Sequence, residues 1–98
     1  MLSYLDNEKL KLLLLNGSKL LISNKIVYDI TFYHNKHPGG NCILKKCVKI
    51  NNKNLEYEDC NIDFNFHSNN GKKLWSSLAI GRIDRPNVFT RLFYLFFN

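Results

Sequence analysis

The chain is 98 residues long, 45% apolar and 22% charged. That is one domain's worth of sequence, with room for one core and one embedded ligand but not for a two-domain enzyme, and the composition excludes a disordered chain. No apolar stretch approaches the roughly 18 residues of a spanning helix. Asp6 and Glu8 precede the short run Leu12 to Leu15 where a secretory signal would carry positive charge, so neither a membrane span nor a leader is expected.

Fourteen basic residues against eight acidic ones give a formal charge of +6. A charge of that size favours acidic partners, whether an acidic protein face, anionic lipid or nucleic acid, and does not choose among them. Cys42, Cys47 and Cys60 make an odd count, which fits free thiols in a reducing, cytoplasmic setting better than a disulfide framework.

Taken in chain order, Met1 to Asn16 reads as a helix with a broad leucine face, Ser3 and Asp6 forming a capping pair and Asn16-Gly17 ending it. Lys19 to Ile22 and Lys25 to Tyr28 read as a β-hairpin around Ser23-Asn24. Ile30 to Lys36 is a short helix or turn, stopped by Pro38 and Gly39-Gly40. Cys42 to Val48 is a candidate helix, and Asn51 to Asn54 a polar surface loop. Glu58 to Phe66 fits no single period. His67 to Leu78 reads as a helix with Leu74, Trp75 and Leu78 as its apolar stripe and Gly81 marking its end. Arg82 to Asn98 closes the chain, with a final apolar helix beginning at Pro86.

The string His37-Pro38-Gly39-Gly40 is the most informative in the chain. Proline fixes the backbone after the histidine, and two glycines let the main chain turn sharply or lie close against a flat ligand. Such a string arises by chance in a chain this short about once in a thousand at average residue usage. His67, 30 positions later, lies in Phe64-Asn65-Phe66-His67-Ser68, where a neutral imidazole among phenylalanines suits an iron ligand in an apolar slot. Two such histidines on separate helix-turn elements suggest a clamp around a planar haem.

With these residues in view, the sequence resembles the cytochrome b5 haem-binding domain, from about Leu20 to Ile83. Val27-Tyr28-Asp29, Thr31 and His37-Pro38-Gly39-Gly40 follow the first half of the family pattern; Asp59, Phe64, His67-Ser68, Leu74 and Ile80-Gly81 follow the second. The resemblance implies an α+β fold for a single domain over residues 1–98: a small mixed β-sheet with helix pairs forming a haem pocket. It implies haem b as the cofactor, with His37 and His67 as the two axial iron ligands and Ser68 against a propionate. Ile30, Ile43, Leu44, Phe64, Leu74 and Leu78 would wall the pocket, Tyr33 stands where the family usually has phenylalanine, and Phe66 shares with Phe64 the position of an aromatic contact. The segment between the histidines is longer than usual, and the chain is basic where relatives tend to be acidic around the haem edge.

Two neutral imidazoles leave haem iron no open position, which suits one-electron transfer rather than binding of oxygen or substrate. No C-x-x-C-H string is present, so the haem would be held non-covalently. No nucleophile–base pair is evident, so the expectation is an electron carrier and not an enzyme. The resemblance implies redox proteins as partners, a reductase donor and an oxidase-type acceptor, and the basic charge favours acidic faces on them; a monomer is expected.

Three other readings stand beside this one. His34 and His37 form an H-x-x-H pair near Cys42 and Cys47, but the spacing matches none of the usual zinc patterns. Lys45, Lys46, Lys49, Lys53, Lys72 and Lys73 could face a nucleic acid, yet they are scattered and no stacking or recognition motif accompanies them, so no nucleic-acid partner is expected. A haem-binding sensor or carrier, or a basic interaction module without cofactor, completes the set. The run Leu92 to Phe97 is too short to span a bilayer; it packs on the domain's own sheet, lies at a membrane interface or pairs with a partner, which leaves peripheral membrane contact open.

Overall fold

In the computed structural model of the protein, residues 2–33 and 44–84 are described. Their arrangement follows from one strand that is apolar on both sides. Strand β1 (Leu20–Ser23) pairs antiparallel with β2 (Ile26–Asp29), in register from Leu20 opposite Asp29 to Ser23 opposite Ile26. The turn between them is Asn24-Lys25, at φ 49° and 70°. Two successive positive φ values make the tight hairpin whose twist matches that of the strands. The turn lies one residue later than the sequence pattern predicts, which puts asparagine, the residue that best tolerates the left-handed region, at its first position.

All four residues of β1 are buried. Leu21 points to a core with Tyr28, Ile30, Cys60 and Trp75, while Leu20 and Ile22 point to a second core with Leu10, Val27 and Val48. The sheet is therefore covered on both faces, and this is why β1 reads as a continuous apolar run instead of an alternating one.

Helix α1 (Asn7–Leu15) covers the second core through Leu10. Its N-cap is Asp6, whose side chain accepts from Lys9 N at 2.8 Å. The predicted cap at Ser3 is thus displaced to Asp6, because Ser3 to Leu5 is engaged elsewhere. At the other end, Gly17 N donates to Leu14 O and Ser18 N to Leu13 O, both at 3.0 Å, with Gly17 at φ +92°. This is the Schellman arrangement that Asn16-Gly17 announces in the sequence.

The predicted surface loop over Asn51 to Asn54 is the tip of a second hairpin. Strands β3 (Lys49–Asn51) and β4 (Asn54–Glu56) pair antiparallel around Asn52-Lys53, which adopts φ 50° and 70°. All its residues but Leu55 are exposed, so no alternating pattern marks it in the sequence. The predicted helix over Cys42 to Val48 is, in its described part, a single 3-10 turn over residues 44–46, after which Val48 N bonds to Leu20 O at 2.9 Å.

The predicted helix from His67 to Leu78 divides differently. Helix α2 (Asn61–Phe66) ends before His67, helix α3 (Asn69–Ser77) begins after Ser68, and β5 (Ala79–Arg82) follows at once. Strand β5 pairs antiparallel with the free edge of β2, giving the order β1-β2-β5, with a register break between Val27 and Tyr28. Gly81 is a strand residue rather than a helix stop. A Cβ there would stand 2.5 Å from Leu5 Cγ and 2.8 Å from Ser3 O. Its absence lets Ser3 to Leu5 run alongside, through a parallel bridge of Tyr4 to Arg82, Leu5 N to Arg82 O at 2.7 Å and Arg82 N to Ser3 O at 2.9 Å. The α+β architecture, helices packed on a small sheet, is the one the sequence implies.

Candidate functional site

The site is built where α2 meets α3. Helix α2 is short and its N-cap, Cys60, makes no side-chain cap bond. It is anchored instead by Asp59, whose Oδ1 accepts from Asn61 N at 2.8 Å, and by Cys60 N, which donates to Ile22 O at 2.9 Å. His67 then leaves the helix in an extended conformation, φ −76° and ψ 154°, and Ser68 caps α3 by accepting from Gly71 N at 3.3 Å. The extended backbone at His67 and Ser68 breaks the helix, and serine at the N-cap favours the start of a new one.

The end of α2 releases the Asp63 carbonyl. The backbone N–H of His67 goes to Phe64 O at 3.2 Å, and the Asp63 oxygen is met instead by His67 Nδ1 at 2.6 Å. A carbonyl oxygen only accepts, so Nδ1 carries a proton, and in the neutral ring the lone pair falls on Nε2. The half-buried ring is seated on α3. A Cβ at Gly71 would stand 3.0 Å from His67 Cβ and 3.1 Å from Cδ2, and the Trp75 ring centroid lies 5.2 Å away. Trp75 in turn packs against Tyr28 and Phe64, at 5.5 and 5.4 Å between centroids.

Of the predicted pocket residues, Ile30 is buried in the core beneath this cluster, and Leu44, Phe64 and Leu78 pack against it partly covered. Tyr33 and Leu78 line a cleft of about 340 Å³ with Phe32, Ala79 and Ile80. Leu74 is 40% exposed and Phe66 91% exposed, so the two phenylalanines before His67 have opposite settings: Phe64 faces the core and Phe66 the solvent. Ser68 is exposed and serves α3 as its cap. His37 and Ile43, with the whole His37 to Gly40 string, lie outside the described residues, as do His34, Cys42 and the C-terminal run.

Gly71, Leu74, Trp75 and Leu78 recur at the spacing of one helical face. The His67 ring at Gly71 and the cleft at Leu78 are therefore about two turns, or roughly 10 Å, apart along α3. Three neighbours escape a reading that looks for ligands alone: Asp63, Gly71 and Trp75. Their signal is spacing, since they stand four before, four after and eight after His67.

Upstream, Asp29 and Thr31 turn the chain off β2 toward residue 34. Asp29 Oδ1 accepts from Thr31 N at 2.9 Å and from the Thr31 hydroxyl, while Thr31 Oγ1 accepts from Lys19 N at 3.0 Å. Beside α2, Lys46 Nζ lies 2.7 Å from Asp63 Oδ2 and 4.0 Å from Glu58 Oε1; the hydrogen bond to Asp63 holds the ammonium above its ordinary pKa. Burial pushes the Cys60 thiol up to about 12, and Cys47 is raised by the same cause. Neither thiol has the lowered pKa of a reactive cysteine.

These residues fit a haem. The neutral imidazole presents Nε2, its other nitrogen is held by a carbonyl as metal-bound histidines require, and Phe66 and Leu74, adjacent in the chain to His67 and one turn beyond Gly71, are exposed.

Comparison with known proteins points the same way. The chain is 34% identical over 73 residues to "Cytochrome B5 isoform C" of Arabidopsis thaliana, a match covering 74% of this chain and 50% of the relative. The chain thus spans about half the length of that relative. No family model matches the chain. The fold and this likeness support a cytochrome b5-like domain.

Proposed function

We propose that the protein is a small b-type cytochrome of the cytochrome b5 family. It binds haem b non-covalently, with His37 and His67 as axial ligands, and passes single electrons between redox proteins. The observation that carries this reading is the setting of His67: an extended residue between two helices, its Nδ1–H held by Asp63 O at 2.6 Å and its ring resting on Gly71 beside an exposed apolar surface. The ordered string His37-Pro38-Gly39-Gly40 supplies the second histidine, and the 34% identical relative supports the class.

When bound, the haem supplies an iron that changes oxidation state by one electron. The protein's own residues hold and shield it. His67 is oriented by the Asp63 carbonyl, and His37 follows the turn set by Asp29 and Thr31. Tyr33, Ile43, Leu44, Phe64, Leu74 and Leu78 would exclude water from the haem, over a floor that includes Ile30, and Ser68 would hold a propionate. The partners are a reductase donor and an oxidase-type acceptor with acidic faces, met by a monomer in the cytoplasm, with the run Leu92 to Phe97 as the point of any membrane contact.

The test is the absorption spectrum of the purified protein with added haem, oxidised and then reduced with dithionite, beside His37→Ala and His67→Ala. Sharp low-spin bands at one haem per chain, altered by each substitution, are expected. A protein that takes up no stoichiometric haem, or whose spectrum ignores both substitutions, overturns the proposal. Haem bound with both ligands but unable to cycle with any electron donor points to a haem carrier or sensor instead.

A further inference from the structure

The Asp63 carbonyl orients His67 only as well as α2 itself is held. That helix has six residues, no side-chain cap bond and no fully buried residue. A helix this short has no independent stability, so its placement comes from tertiary contacts. Its first turn is tied to β1 through Cys60, and Phe64 enters the aromatic cluster with Tyr28 and Trp75. Besides the bond from the His67 ring, its middle is reached by the 2.7 Å hydrogen bond from Lys46 Nζ to Asp63 Oδ2.

Asp63 thus faces two ways. Its side chain is gripped by Lys46, and its main-chain oxygen grips the ring of His67 at 2.6 Å. Lys46 belongs to the 3-10 turn at residues 44–46, whose Leu44 packs on the core, and this turn directly follows the segment that contains His37. The ion pair therefore joins the chain leaving one histidine-bearing segment to the helix that aims the other histidine. Its side chains are 30% and 37% exposed, a setting in which an ion pair adds little to stability. A short, charge-assisted hydrogen bond does fix direction. Lys46 and Glu58, 4.0 Å apart, form a looser second contact that does not touch α2.

We propose that Lys46 is a positioning residue for His67: through its ion pair with Asp63 it sets the carbonyl that holds the imidazole in the Nδ1–H form. This rests on the reading of His67 as a haem ligand, and its test separates the two. The 98-residue chain is prepared without haem as the parent, Lys46→Met, Lys46→Arg and Asp63→Asn, the last retaining the main-chain oxygen. Far-UV circular dichroism establishes that each is folded. Long-range 1H–15N correlation of the His67 ring, at a pH where the imidazole is neutral, then reads the tautomer directly.

The parent and Lys46→Arg should show the Nδ1–H form, while Lys46→Met and Asp63→Asn shift toward a mixture with the Nε2–H form. On adding haem, the two shifted variants should lose on the order of tenfold in affinity, as loss of a group that orients a ligand does, and Lys46→Arg should not. Unchanged His67 ring signals in a folded Lys46→Met protein overturn the proposal. A parent that shows the expected tautomer pattern but binds no haem overturns the cytochrome reading and leaves the positioning role standing.

Discussion

The rings of His67 and Trp75 lie 5.2 Å apart at an interplanar angle of 42°, so the imidazole is backed by the one tryptophan of the chain. Trp75 is 3% exposed and also meets Tyr28 and Phe64. Trp75→Ala should cost about 3–5 kcal/mol of stability, the range for emptying an aromatic core site, measured by urea unfolding. Trp75→Phe should cost less, because an aromatic ring still backs the histidine. In the parent, added haem should quench the single tryptophan's emission in proportion to occupancy; unquenched emission at saturating haem would count against a site beside His67.

Gly71 offers a substitution whose two effects have opposite signs. Alanine in a helix is favoured over glycine by up to about 1 kcal/mol. Yet its Cβ would stand 3.0 Å from His67 Cβ and 3.1 Å from Cδ2, so the ring must yield by a few tenths of an ångström. Gly71→Ala should leave the haem-free protein as stable as the parent or slightly more so. Its haem affinity should fall on the order of tenfold, the scale for disturbing a ligand's supporting contacts. Parallel thermal melts and haem titrations check both signs.

At Gly81 the obstruction includes main chain. A new Cβ would meet Ser3 O at 2.8 Å as well as the Leu5 side chain at 2.5 Å. Gly81→Ala should destabilise the fold by about 1–3 kcal/mol, the usual cost of overpacking, and should part Ser3 to Leu5 from β5. Hydrogen exchange checks the location: the amides of Leu5 and Arg82 should lose protection first, since both bond across this contact.

The thiol of Cys60 sets an alkaline limit. Its ordinary pKa of 9.0 rises to about 12 in the fold because burial disfavours the thiolate. The folded protein thus keeps a proton that the unfolded chain gives up, and stability is full below about pH 9 and declines toward pH 12. The slope is up to about 1.4 kcal/mol per pH unit for one proton. Tyr28, also raised by burial, adds to the decline from its ordinary value of 10.0 upward. Urea unfolding between pH 8 and 11 should show this limb, and Cys60→Ala should make it shallower while lowering stability at neutral pH.

Side-chain chemistry that acts locally was legible in the sequence. Asn16-Gly17 stops α1 as its residues dictate, and the β-rich runs on either side of Asn24 form a hairpin because a two-residue turn leaves little freedom in register. The apolar stripe of Leu74, Trp75 and Leu78 predicts a helix running through Ser68, whereas Ser68 is the cap at which that helix starts. Strand β5 was hidden because Ala79-Ile80-Gly81-Arg82 forms a strand by completing the edge of β2, a partner far away in sequence. Lys49 to Glu56 was hidden for the opposite reason: a hairpin exposed almost throughout carries no apolar period. At the site, His67 was evident from its phenylalanine neighbours, but the reversal of Phe64 and Phe66 was not. Consecutive helical positions turn by 100°, so residues two apart face nearly opposite sides, and only the docking of α2 decides which of them is covered.

Strand β2 has unequal neighbours. It meets β1 across a two-residue turn, but it meets β5 only after the chain has passed through both histidine-bearing segments and returned, Ile26 pairing with Arg82. The first contact is local and forms quickly; the second closes a loop that holds most of the domain, and closing such a loop is slow because its entropy is lost before its contacts are gained. The rate at which the sheet is completed is therefore governed by the order of what lies between. A ligand that draws the two histidine segments together, as the proposed haem would, shortens the effective loop and so speeds maturation of the chain as well as stabilising it once folded.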